Sequence, residues 1–148
     1  MNQREIKFRA WLIKRKAMAG VYTLGLTGIE YTTVSVNKEL LSGVGKEDMV
    51  LMQYTGLKDK NGVEIYEGDI CKDDVGHFME IKFGELPLDK GGDCVCTYQS
   101  FYAKDHGKLG ETPYYECNQI ENWFEVIGNI YENEDLISSL DTLTDKNI

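Results

Sequence analysis

Two histidines, His77 and His106, four cysteines, Cys71, Cys94, Cys96 and Cys117, and 25 aspartates and glutamates are the side chains of this 148-residue chain best suited to chemistry. Cys94 and Cys96 share a strand face, and with Cys71, Cys117, His77 or His106 they could supply the four ligands of a zinc ion. Structural zinc sites use Cys-x2–4-Cys knuckles and His-x3–5-His pairs, and the sequence has neither. The thiols are therefore expected as small buried hydrophobes, with no metal and no cofactor. A Cys-His pair can meet in space without being close in sequence, but no spacing here supports one. Glu64, Glu67 and Asp69 could serve as acid and base. Among so many carboxylates most must be solvated or turn residues, and Asp69 after Gly68 reads as a turn carboxylate. Asp59-Lys60-Asn61-Gly62 resembles the start of a calcium loop, but its glycine comes too early and the bidentate glutamate is missing, so a hairpin turn is expected. Gly91-Gly92 lacks the Lys-Ser or Lys-Thr of a phosphate loop, and neither Gly-x-Ser-x-Gly nor His-Glu-x-x-His occurs. No catalytic residue is expected, and the chain is read as a non-enzyme.

Binding leaves a different trace. Lys7, Arg9 and Trp11 alternate along the first apolar-periodic stretch, so they project from one face of a strand, where cations and an indole could grip phosphate, stack a base or anchor a partner. The same pattern arises when a tryptophan covers a sheet or a subunit contact between solvated cations, and that reading is preferred. The formal charge of −9 repels polyphosphate at long range, although the first twenty residues are basic, with Arg4, Lys7, Arg9, Lys14, Arg15 and Lys16 against Glu5 alone.

The elements that must position these groups are strands. Ile6–Ile13 alternates with period two, Val21–Leu24 and Ile29–Val36 are rich in β-branched and aromatic residues, and the three form an N-terminal antiparallel meander. Ser42-Gly43-Val44-Gly45 suggests a hinge. Met49–Tyr54, Val63–Tyr66, Ile70–Lys72, His77–Phe83, Cys94–Ala103 and Trp123–Tyr131 are further strands, and Asn61-Gly62 suits the positive φ angles of a tight hairpin. Strands this short and closely spaced predict a mainly β fold, a small barrel or sandwich, rather than α/β. A C-terminal helix follows, with Asn133 as cap and Leu136, Ile137, Leu140 and Leu143 as its apolar stripe. Forty-two per cent apolar residues suffice for one core. The N-terminus lacks a secretory signal's apolar run and no stretch is long enough to span a bilayer, so the protein is expected in the cytoplasm of a bacterial host cell, off the membrane, with its thiols reduced.

Lys7-Phe8-Arg9-Ala10-Trp11, the long block from Gln53-Tyr54-Thr55-Gly56-Leu57-Lys58-Asp59 through Lys60-Asn61-Gly62-Val63-Glu64-Ile65-Tyr66 to Glu67-Gly68-Asp69-Ile70, and Val126-Ile127-Gly128-Asn129-Ile130-Tyr131-Glu132-Asn133 together resemble the YopX family of phage and prophage proteins. The resemblance implies a single domain over 1–148, with an N-terminal meander (1–43) followed by an SH3-like barrel and the helix (44–148). It also implies oligomeric assembly. Leu12 and Glu134 depart from it, standing where an acidic residue and a proline are common, and residues 73–122 carry none of its motifs.

The resulting expectation is a phage or prophage accessory protein that self-assembles into a homo-oligomer and acts by binding, with a host protein as partner. A nucleic-acid-binding barrel is the alternative, and an enzyme acting on a nucleotide or nucleic acid comes third.

Overall fold

The computed structural model describes residues 5–25, 32–88, 96–105, 114–116 and 123–136. The chain is mainly β, with two antiparallel sheets, and forms two compact units, Met1–Gly56 and Leu57–Ile148.

In the first unit, β1 (Phe8–Leu12), β2 (Ala17–Thr23), β3 (Thr32–Val36) and β4 (Glu39–Val44) run as an antiparallel meander, and β5 (Met49–Lys58) adds on the free side of β1. Alternation does the sorting: Ala10 lies opposite Ala19 and Leu51, Leu12 opposite Ala17 and Met49, and Val34 opposite Val21 and Leu41. Those residues, with Val36, form one apolar cluster in which Ala10 and Val34 are fully buried. Burying a side chain the size of Val34 is worth about 1.5–3 kcal/mol.

Two details depart from the sequence expectation. β2 begins at Ala17, because pairing with β1 outweighs the low strand preference of Ala and Gly. β4 occupies the stretch expected as a hinge. The turn that creates it, Asn37-Lys38, joins Val36 to Glu39 with both central residues at positive φ (49° and 69°), the geometry of a two-residue hairpin. Asn adopts this conformation readily and Lys at a cost, and with no glycine present the turn carries no sequence signal. Lys38→Gly is expected to stabilise the first unit by about 1 kcal/mol in urea unfolding; an unchanged or lowered midpoint would show that Lys38 bears no strain.

The second unit begins at Leu57, within the last residues of β5. β6 (Glu64–Tyr66) is reached through a hairpin in which Asp59 N–H donates to Val63 O at 2.8 Å and Gly62 N–H to Asp59 O at 2.9 Å. Gly62 alone takes positive φ (82°), so the predicted turn forms with a three-residue loop rather than with Asn61 and Gly62 both left-handed. Then come β7 (Asp69–Lys72), β8 (Phe78–Leu88), β9 (Cys96–Asp105), β10 (Tyr114–Glu116) and β11 (Glu125–Asn129), in the sheet order β10-β9-β8-β7-β11, which is open among the described residues. Ile65, Cys71, Met79, Ile81, Phe101, Ala103 and Phe124 form its core. β10 has no counterpart among the predicted strands, while β5, β8 and β9 run past their predicted ends. Apolar periodicity marks only the half of a strand that faces a core, whereas cross-strand pairing extends beyond it.

Of the expected terminal helix, residues 134–136 form a described turn; Ile137, Leu140 and Leu143 lie outside the described residues. No described helix is long and apolar enough to cross a membrane.

Candidate functional site

Lys7, immediately before β1, and Arg9 and Trp11 within it alternate onto one face, all half-buried. Arg9 lies opposite Gly20 and Met52, and Trp11 opposite Met18 and Val50. The Lys7 ammonium is 3.1 Å from Glu5 and 5.6 Å from the centre of the Tyr54 ring, and Lys7 O accepts the Tyr54 N–H at 2.9 Å. The row therefore sits within the sheet, across from Met52 and Tyr54, which are buried.

At one end of the second unit three connections converge. Asp59 is buried, and its carboxylate gathers three backbone N–H groups: Asn61 at 2.8 Å and Val63 at 2.9 Å on one oxygen, Val126 at 2.9 Å on the other. Burial pushes this carboxyl up, but the N–H groups of Val126, Val63 and Asn61, with the Lys60 charge, more than offset it and hold it below the usual carboxylate range. Lys60 N–H donates to Phe124 O at 3.1 Å, so the 59–63 hairpin lies alongside the entry to β11. The Lys60 ammonium reaches Asp74 at 2.5 Å and Glu125 at 3.7 Å, which brings in the loop between β7 and β8.

That loop is closed in the same manner. One Asp73 oxygen accepts the N–H groups of Val75 (3.0 Å) and His77 (2.7 Å), and the other lies 2.6 Å from His77 Nδ1. Burial acts upward on Asp73, and the His77 N–H and ring, with the Gly76 N–H, bring its net pKa below the usual value. Asp69 accepts the Tyr66 N–H at 2.7 Å, the turn role read from sequence, and Glu64 accepts the Tyr66 hydroxyl at 2.9 Å. Asn129 accepts the N–H groups of Tyr131 (3.1 Å) and Glu132 (3.0 Å) through its side chain, while its own N–H donates to Asn133 Oδ1 at 3.1 Å. The oxygen expected to cap the helix is thus spent on the turn before it.

The loops tied together here each carry an exposed apolar side chain, Val63, Val75 and Trp123, with Trp123 exposed by 69% and Val75 by 80%. Around them stand Asp74, Glu125 and Lys60, two carboxylates to one ammonium. Exposed apolar side chains on loops that also carry charges can bind a protein surface. Sequence reading missed these three because Trp123 and Val63 sit in strand-like stretches where a core position was equally plausible, and only the tie to Asp59 and Lys60 brings them to one end.

Cys71 packs in the core and His77 is bonded to Asp73, whereas Cys94, His106 and Cys117 lie outside the described residues. Among the described residues no three His, Cys, Asp or Glu side chains cluster as a metal ion would require.

Residues 7–138 match the family described as YopX protein. Comparison with curated proteins returns no match. Among solved structures, that of protein EF1440 from Enterococcus faecalis is similar over 91% of this chain and 99% of its own, with 25% identity and a TM-score of 0.47. With the family match covering most of its length, the chain belongs to the YopX protein family.

Proposed function

We propose that the chain is a non-catalytic, self-assembling protein-binding module, a phage or prophage accessory protein whose partner is a host protein and whose second unit closes as a small SH3-like barrel. The observation that carries this reading is the exposure of Trp123, Val63 and Val75 beside loops whose polar side chains are already engaged. Asp59, Asp69, Asp73 and Asn129 each accept backbone N–H groups, the arrangement of a rigid frame, and a rigid frame lowers the entropy cost of offering an apolar anchor to a partner. Tryptophan is also the side chain most enriched where binding energy concentrates.

The test pairs light scattering with a tagged pull-down from bacterial lysate, with and without nuclease, for the natural chain and a Trp123→Ser/Val75→Ser variant. The natural chain is expected to form oligomers and retain a stoichiometric protein through nuclease treatment. The variant, with an unchanged unfolding midpoint, should lose that protein by about tenfold or more, in keeping with a hot-spot tryptophan. A bait that holds only nucleic acid, or a variant that binds as well as the natural chain, overturns the reading.

A further inference from the structure

The turn end of the first unit holds a hollow of about 270 Å³ between the ends of β1 and β4. Its apolar wall is Leu12, which is buried, with Leu41 and Val44, which are half-buried against the same cluster. A bulge keeps it open. Ser42 and Gly43 together stand opposite the single Thr33, and Gly43, at φ 78°, has open space where a Cβ would be. β4 is also the last strand of its sheet among the described residues, so no described strand pairs with its outer edge.

The mouth is charged. The Lys14 ammonium lies 2.5 Å from Asp48, and Arg15 Nη1 lies 3.0 Å from Glu39, which ties the β1–β2 turn to the β3–β4 turn. Asp48, by hydrogen bond and charge, raises Lys14 above its ordinary pKa, so the ammonium stays charged. Each cation has more N–H donors than these contacts use. Lys16 and Lys38 occupy the same two turns, so this end holds an excess of positive charge in a chain of net charge −9. Apolar ligand sites at the mouths of β structures take this form, an aliphatic wall with a few placed polar groups, and the volume is near the lower end for small molecules.

We infer that the hollow binds a compact apolar carboxylate, with its aliphatic body on Leu12, Leu41 and Val44, its carboxylate on Lys14 and Arg15, and the Ser42 hydroxyl alongside. A neutral or cationic analogue gives the spare N–H donors of Lys14 and Arg15 no charged acceptor, and a bare inorganic anion forgoes the apolar contact. The carboxylate can belong to a free small acid or to the C-terminal residue of another chain. This site is separate from the Trp123 surface, and either can fail without the other.

The test is an amide chemical-shift titration of the full chain with N-acetylleucine, with its neutral amide, and with a pentapeptide ending in leucine. The acid is expected to shift the Arg15 and Leu41–Val44 amides saturably in the millimolar range, the amide to bind roughly tenfold more weakly, and added salt to weaken the acid alone. A Lys14→Gln/Arg15→Gln variant should lose a similar factor with an unchanged melting midpoint. A pentapeptide that binds more tightly than N-acetylleucine assigns the carboxylate to a chain terminus, and equal binding assigns it to a free acid. Absence of saturable shifts at these residues, or equal binding of acid and amide, overturns the inference. The acid-to-amide comparison decides even if the variant does not fold.

Discussion

Asp59→Ala is expected to cost the second unit about 3 kcal/mol, read from urea unfolding. Hydrogen bonds to a charged acceptor contribute roughly 1.5–3 kcal/mol each, and the three at Asp59 share one carboxylate and so overlap rather than add. Removing it strands the N–H groups of Asn61, Val63 and Val126, whose bonds to it are partly buried. Those amides should then exchange with solvent much faster than in the natural chain. Asp59→Asn is milder, about 2 kcal/mol, because its single oxygen can keep Asn61 and Val63 while its amide N–H₂ confronts the Val126 N–H. The sign of the pH dependence follows from the lowered pKa. A carboxylate held below its unfolded value contributes fully above that unfolded value and loses the contribution as pH falls through the folded one. The gap between the natural chain and Asp59→Asn should therefore be full at neutral pH and close below about pH 4. Asp73, also lowered, adds acid sensitivity in the same window but is common to both chains and cancels in the difference. A loss under about 1 kcal/mol for Asp59→Ala would show that the three bonds do not hold the hairpin to β11.

Gly128→Ala should destabilise the same unit by about 2 kcal/mol, within the range for overpacking a filled site. A Cβ built on Gly128 meets the Asn133 side chain, with Cγ at 2.7 Å, and Asn133 Oδ1 accepts the Asn129 N–H. The added methyl must displace that oxygen and open the turn that Asn129 closes on Tyr131 and Glu132. Asn133→Ala alone should cost about 1 kcal/mol, the bond and no more. The double variant distinguishes this account from a loss of backbone freedom. With Asn133 truncated the clash is gone, so the double variant should be more stable than the sum of the singles by about 1 kcal/mol or more. Strict additivity would mean that Gly128 is required for its own backbone at the β11 bulge, which lies between Val126 and Gly128, and not for Asn133.

These two positions belong to the blocks by which the chain resembles its family, and the structure gives both a mechanical task. The resemblance located them without explaining them. For Asp59 the local part was open to sequence reading, since an Asp two residues before Asn61-Gly62 readily accepts N–H groups of its own turn. Its third bond reaches Val126, 67 residues away, and no local pattern reports it. The row of Lys7, Arg9 and Trp11 followed from alternation, but its half-buried state across from Met52 and Tyr54 did not, because alternation assigns a face without saying what lies over it.

Features settled within a few residues were legible along the chain: mainly β character from period-two alternation, the hairpin at Asn61-Gly62, the turn carboxylate Asp69 and, through its three blocks, membership of a family. β4 escaped even this local reading, because Asn37-Lys38 turns the chain with a lysine in a conformation normally left to glycine. Long-range pairing alone joins the loops that carry Val63, Val75 and Trp123, and it alone forms the hollow between Leu12 and Val44. Both depend on strand register and on long-range pairs such as Lys60 with Asp74 and Arg15 with Glu39. The free energy of such pairs is realised only after the intervening chain has closed its loops, so no window of sequence contains it.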